Sequence, residues 1–218
     1  MCGRYQFNFK NKDEFRKRYD IGSEFPYSEI KTRYNITPGT PMPVVTRHSP
    51  NAVEIMLWGM IPEWDKSDKP RGFINLRDDT VANKPWAWKY LRFQRCLVPA
   101  SGFYEWKKTA DEKIPYYFHL PGANYFSFAG LYNEWRDKKT YTIITTSPSP
   151  LMKPIHNRMP VILTKEEEKQ WLNPDETEVD KLKIFLKPYR GKMDAYPISR
   201  RINSPINNNA EIIKPIDS

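Results

Sequence analysis

Cysteine is nearly absent from this 218-residue chain, and the two present, Cys2 and Cys96, cannot build a disulfide framework or a four-thiolate metal site. Three histidines are too few for a His-rich metal centre. Neither a metal nor a cofactor is therefore expected. Cysteine this scarce fits a reducing compartment, which makes the expected location cytoplasmic, and nucleoid-associated if the source is bacterial. The chain also lacks an apolar leader, because Met1-Cys2-Gly3-Arg4-Tyr5 runs straight into an alternating strand. One uncharged stretch, residues 114–133, has the length of a membrane span. Pro115, Pro121, Gly122, Asn124 and His119 interrupt it, so two strands joined by a turn at 121–124 explain it better than a membrane segment. Internal repeats, low-complexity linkers and abrupt shifts of composition are missing as well, which leaves a single domain.

What is abundant points elsewhere. Lys and Arg number 35 against 26 Asp and Glu, a net charge of +9 that suits an anionic partner, most often nucleic acid. Twenty prolines argue against a long helical bundle. Aromatics make up 14% of the chain, enough for a core and for a stacking surface.

Tyr5, Phe7 and Phe9 alternate with polar residues as in a half-buried strand. Asn11 with Glu14 offers a capping box for a short helix carrying Phe15 and Tyr19 on one face. Four prolines and glycines make 34–43 an irregular loop, followed by strands at 43–46 and 53–58 and a second loop at 59–72. Residues 79–93 read as helix interrupted by Pro85. Strands follow at 95–99, 102–106, 116–119, 125–129, 141–145 and 158–163, the first two joined tightly through Ala100-Ser101. Thr164 with Glu167 makes a second capping box for a helix through Leu172, and a further helix spans 176–186. The Asn-rich stretch from Ile202 drapes over the body or frays. Many short strands with few helices give an α+β fold: a compact single domain with a mostly antiparallel, barrel-like β core flanked by short helices.

Cys2 is the most informative position. Removal of the initiator Met would leave it as the N-terminus and place an amine and a thiol on one residue, groups that ordinarily titrate at about 8 and about 8.5. Such a 1,2-aminothiol condenses with an aldehyde, first as a Schiff base and then as a five-membered thiazolidine. Cys2 equally reads as a small buried hydrophobe that happens to follow Met. His156 follows a loop, where scaffolded site residues concentrate, whereas His48 and His119 have no such setting. Glu105 stands among aromatics in Gly102-Phe103-Tyr104-Glu105-Trp106: buried, it would have a raised pKa suited to acid–base work, and otherwise it sits at a solvated edge. Asn75 either caps the following helix or serves a site, and Arg77 pairs with Asp79 or with a phosphate. Arg4, Arg77 and Arg158 each lie two residues from Cys2, Asn75 and His156, a separation that puts both side chains on one face of a strand and would line a site with cations. Trp58, Trp64 and Trp106 are either core residues or stacking partners for bases.

Met-Cys-Gly-Arg-Tyr at the start, Tyr34-Asn35 with Pro38-Gly39, Trp58-Gly59-Met60-Ile61-Pro62 with Trp64, Ile74-Asn75-x-Arg77, Gly102-Phe103-Tyr104-Glu105-Trp106 and Ile155-His156-x-Arg158-Met159-Pro160 occur in that order. Together they resemble the SOS response-associated peptidase (SRAP) family of abasic-site processing proteins. The resemblance covers about residues 1–200 and divides the chain into a domain at 1–202 and a tail at 203–218. It implies capture of abasic sites in single-stranded DNA by a covalent thiazolidine link through Cys2 once Met1 is removed, with self-removal of Met1 as the peptidase activity. It implies that Asn75 orients the terminus and the opened sugar, Glu105 shuttles protons, and His156 helps open the sugar and assists reversal. Arg4, Arg77 and Arg158 would hold phosphates, and Trp64 and Trp106 would support flanking bases. Expected partners are single-stranded DNA with abasic sites and replication or repair proteins, for a monomer. Leu76 and Asp79 stand where the family usually carries Ala and Glu. Two other readings of the residues remain: a cysteine peptidase with His156 as base, acting in cis or in trans, and a non-covalent single-strand binder.

Overall fold

The strands are apolar on one face or on both, and packing of those faces closes them into two sheets. The structure, a computed structural model, describes residues 2–22 and 27–216. In chain order the elements are β1 (Arg4–Phe7), α1 (Lys12–Tyr19), β2 (Arg33–Ile36), β3 (Pro41–Thr46), β4 (Glu54–Trp58), β5 (Asn75–Arg77), α2 (Asp78–Asn83), α3 (Pro85–Phe93) and β6 (Arg95–Ala100). There follow β7 (Gly102–Lys108), β8 (Lys113–His119), β9 (Phe126–Trp135), β10 (Lys138–Thr146), β11 (Met159–Pro160), β12 (Ile162–Leu163), α4 (Lys165–Leu172), α5 (Val179–Lys183) and β13 (Asp194–Pro197). Short 3₁₀ turns cover Tyr27–Glu29, Arg200–Asn203 and Ala210–Ile213.

Strands β10, β4, β3, β6 and β9 pair in that order, and β9 pairs back to β10, so the five form a closed barrel. The β4–β10 pair is parallel and the other four are antiparallel. A second sheet, ordered β13-β8-β7-β1-β2, lies against the barrel. Its inner face brings Tyr5, Phe7, Phe103 and Phe118 into one core with Phe126 and Phe128. Phe103 stacks on Phe118 at 4.9 Å and meets Phe128 edge-on at 5.9 Å. Each such ring contributes about 1.5–3 kcal/mol by leaving water. The outer face carries a smaller cluster, Tyr104 and Tyr117 with Ile198, Ile202 and Ile212, so the C-terminal stretch covers this sheet. Arg95, fully buried between α3 and α4, donates to five backbone carbonyls, those of Leu91, Arg92, Trp171, Asn173 and Glu176. Among the described residues no helix is long and apolar enough to cross a membrane.

Several local expectations change. Residues 34–43 hold the end of β2 and the start of β3 rather than a loop throughout. The prolines are tolerated because β6 meets β3 only at Val45 and Thr46, leaving the proline-bearing half paired with β4 alone. Asn11 does cap α1, accepting from Asp13 and Glu14 N–H, but the Glu14 carboxylate bonds Asn124 instead of returning to close a box. At α4 both halves of the Thr164–Glu167 box are present. The helix expected over 176–186 contracts to the five residues of α5. Ser101 is a corner between sheets rather than a hairpin turn, since β6 belongs to the barrel and β7 to the second sheet. The strand at 158–163 splits at Val161, with β11 on β10 and β12 on β9.

Candidate functional site at the N-terminus

Strand β1 runs antiparallel to β7 with Arg4 opposite Tyr104 and Tyr5 opposite Phe103, a register that carries residues 2 and 3 alongside Glu105. Cys2 is fully buried, and its thiol faces the Arg4 carbonyl at 3.5 Å. Burial raises the thiol pKa above its ordinary range, and the Glu105 carboxylate raises it further. A thiol raised in this way needs a base to take its proton before it reacts.

Asn75 enters from β5, which runs parallel to β10 with Asn75 opposite Ile143 and Leu76 opposite Ile144. Alternation sends Leu76 into the core, so its extra bulk over Ala falls on the side away from Asn75. Asn75 does not cap α2, whose N-cap is Arg77. Its amide Nδ2 donates to the Cys2 carbonyl at 2.8 Å, and its Oδ1 is buried without a partner among the described residues.

Glu105 is 2% exposed, which removes the solvated-edge reading. Burial lifts its carboxyl pKa, while the nearby His156 ring pulls it the other way. His156 Nε2 stands 3.9 Å from Glu105 Oε2. The loop before it is a turn in which Ile155 and His156 N–H both donate to the carbonyl of buried Met152, at 2.8 and 2.9 Å. His156 Nδ1 lies within hydrogen-bond distance of both the Arg158 N–H, at 3.1 Å, and the Arg158 carbonyl, at 3.2 Å, so Nε2 is the ring nitrogen turned to Glu105. Cys2, Asn75, Glu105 and His156, distant in sequence, therefore meet at one place.

The arginines behave less uniformly than their spacing suggests. Arg77 is exposed and forks onto Asp79, with Nη2 to Oδ2 at 2.6 Å. Arg158 is held by Asp78 at 2.8 Å and by the Thr145 carbonyl, and Asp78 is itself fixed by the Thr146 hydroxyl at 2.7 Å. Among the described residues Arg4 meets no carboxylate; its partners are the Asn35 side chain and the carbonyls of Ile202 and Asn203. Trp58 is core, 1% exposed, edge-on to Tyr5 at 5.1 Å and bonded through Nε1 to the Ile74 carbonyl. Trp64 is 54% exposed and stands apart on the loop after β4, against Trp86, which also stacks with Phe73. The base of that loop is tight: a Cβ on Gly72 would sit 2.3 Å from the Gly59 carbonyl. Trp106 follows Glu105 on β7 and donates to the Asn203 side chain at 2.9 Å. Sequence reasoning assigned no role to Asp78, Asn35 or Asn203. Asp78 could have been suspected from two acids following Arg77, whereas no local signal ties Asn35 to the C-terminal stretch. A cavity of about 550 Å³ lies elsewhere, between α1 and α4, and contains none of these residues.

A closed five-stranded barrel, covered by a second sheet, thus brings a buried cysteine at position 2 beside an amide, a carboxyl and an imidazole. The sequence comparisons give the family. Residues 1–205 match the family described as SOS response associated peptidase (SRAP), and the chain belongs to that family. It is 41% identical to the abasic site processing protein YoqW of Bacillus subtilis, over 98% of this chain and 99% of that one. It is 31% identical to the abasic site processing protein HMCES of Gallus gallus, over 74% of this chain and 57% of that one. A crystal structure of a protein from Bacteroides thetaiotaomicron superposes with a TM-score of 0.87 at 31% identity, over 99% of this chain and all of that one.

Proposed function

We propose that this protein captures abasic sites in single-stranded DNA by a covalent thiazolidine link through Cys2 after Met1 is removed. The observation that carries the reading is the tether from Asn75 to the Cys2 carbonyl, which fixes the one residue able to offer both amine and thiol, with Glu105 and His156 beside it. An abasic deoxyribose equilibrates between a closed hemiacetal and an open aldehyde, and His156, as an imidazolium beside Glu105, gives a proton to the ring oxygen and favours opening. The freed α-amine of Cys2 adds to C1′ to give a carbinolamine. Loss of water, with Glu105 supplying the proton, leaves the imine. The Cys2 thiol then adds across the C=N bond: sulfur bonds to C1′ and the thiol proton, relayed by Glu105, ends on nitrogen. Aldehyde plus aminothiol give thiazolidine plus one water.

A carboxyl of raised pKa can both give and take a proton within this sequence. Keeping the thiol protonated orders the steps, amine first and sulfur second. The same protonation is a poor start for a cysteine peptidase acting in trans, which needs a thiolate. Arg4, Arg77 and Arg158 bind flanking phosphates, and Trp64 and Trp106 support the neighbouring bases. Trapping the aldehyde prevents β-elimination and strand scission, a protective role in damaged DNA. The test is a denaturing gel of the protein mixed with single strands that do or do not contain an abasic site. A denaturation-resistant band should form with the abasic strand alone and vanish in Cys2→Ala. Its absence for correctly processed protein defeats the proposal.

A further inference from the structure

Arg4 and Trp106 share the outer face of the β1–β7 pair, because Arg4 lies opposite Tyr104 and Trp106 follows Tyr104 by two. Both are tied to one residue of the C-terminal stretch. Trp106 Nε1 donates to Asn203 Oδ1 at 2.9 Å, and Arg4 Nη2 donates to the Asn203 carbonyl at 3.1 Å. Arg4 Nη1 reaches the Ile202 carbonyl and Asn35 Oδ1, each at 2.7 Å. Asn35 Nδ2 in turn addresses the carbonyls of Ile202, Ser204 and Asn207 at 2.9–3.1 Å. Ile202, fully buried on the second sheet, pins the segment from beneath.

The electrostatics separate Arg4 from its two counterparts. Arg77 and Arg158 each touch a carboxylate, so a phosphate must compete with Asp79 or Asp78. Among the described residues Arg4 hydrogen-bonds only uncharged oxygens, which fix its direction without neutralising its charge. Burial lowers its pKa, so it gains by meeting an anion.

We propose that the segment 202–208 is a positioning element of the DNA-binding face, in which Asn203 aims Arg4 at a backbone phosphate and Trp106 at the adjacent base. This rests on the capture reading above and adds a part to it. The stretch that sequence left draped or frayed thereby holds two contacts in place before DNA arrives, sparing the entropy of ordering two long side chains at binding.

Asn203→Asp tests it with an isosteric change. The new carboxylate still accepts from Trp106 but places a negative charge beside Arg4. Asn203→Ala removes the indole's acceptor and leaves the charge alone. Fluorescence anisotropy with an undamaged single-stranded oligonucleotide, repeated across salt concentrations, reads both variants without any covalent step. Asn203→Asp should bind about tenfold more weakly at low salt, with a log K against log salt slope shallower by about 0.7, the loss of one phosphate contact on a single strand. Asn203→Ala should bind about fivefold more weakly with the slope near wild type, because stacking rather than charge is disturbed. A merely structural role would lower the melting temperature and leave the slope of the folded protein unchanged. Wild-type affinity and slope in Asn203→Asp overturn the proposal, whatever Asn203→Ala does. Crosslinking of an abasic strand by the wild type is scored separately, so failure of capture and failure of the positioning role are distinguishable.

Discussion

Tyr5 and Tyr141 meet hydroxyl to hydroxyl at 2.6 Å beneath Cys2, both fully buried, and neither hydroxyl has another hydrogen-bond partner among the described residues. Replacing one with Phe strands the other hydroxyl in an apolar site. An orphaned buried donor costs about 1–3 kcal/mol, whereas removing both partners is close to neutral. For a chain of this length 1 kcal/mol moves the melting temperature by about 2–4 °C, so Tyr5→Phe and Tyr141→Phe should each lose about 2–12 °C. The double variant should melt near wild type, which makes the two changes non-additive by about 2–6 kcal/mol, the sum of the two single losses. Thermal or urea unfolding of the four proteins completes the cycle, and the double variant should keep wild-type crosslinking because neither hydroxyl takes part in the chemistry. Additive losses would refute the reasoning, since they would mean that each hydroxyl is satisfied independently of the other.

Glu105→Gln should abolish efficient ring closure yet stabilise the fold at neutral pH. The sign follows from the raised carboxyl pKa: between the ordinary carboxylate range and the raised value, folding takes up a proton, so wild-type stability falls as pH rises through that window. The gain from Gln is then largest above the window and disappears below the ordinary carboxylate range, which a melting series against pH will show. Asn75→Ala should slow capture of an abasic strand by about 10- to 100-fold while its non-covalent binding changes little, because it frees the N-terminus rather than removing a DNA contact. Glu168→Gln should cost about 3 kcal/mol, read by urea unfolding, because it leaves the partly buried Arg18 guanidinium without its two-pronged carboxylate partner. Crosslinking should be unaffected wherever that variant is folded, since the pair lies between α1 and α4.

The fold was legible where a rule acts over a few residues. Alternation marked β1; Thr164 and Glu167 marked the start of α4; Pro85 marked the join between α2 and α3, where it occupies the first turn of the second helix. Barrel closure was not legible in detail, because the β9–β10 and β4–β10 pairings depend on contacts far apart in sequence. Residues 34–43 misled because a proline in a strand is disfavoured only where its N–H is needed, and local sequence does not say which edge is unpaired. At the site, the capacity of Cys2 to offer an amine beside a thiol follows from its position, but the state of its thiol does not. That state depends on burial and on Glu105, both set by the tertiary fold. The three arginines looked equivalent by spacing, and only the structure separates Arg4, held by neutral oxygens, from the two held by carboxylates.

The central claim is that amine and thiol of one residue close a ring on the abasic aldehyde, and alkylation of the denatured crosslink tests it most directly. Captured protein is unfolded and treated with a thiol alkylating reagent and, in parallel, with borohydride, and intact mass is then measured. The chain has two cysteines, so thiazolidine formation predicts one added alkyl group, on Cys96 alone, no mass gain from borohydride, and a crosslink lighter by one water than its separate components. Alkylation of both Cys2 and Cys96, together with reduction by borohydride, would identify an open Schiff base and contradict ring closure.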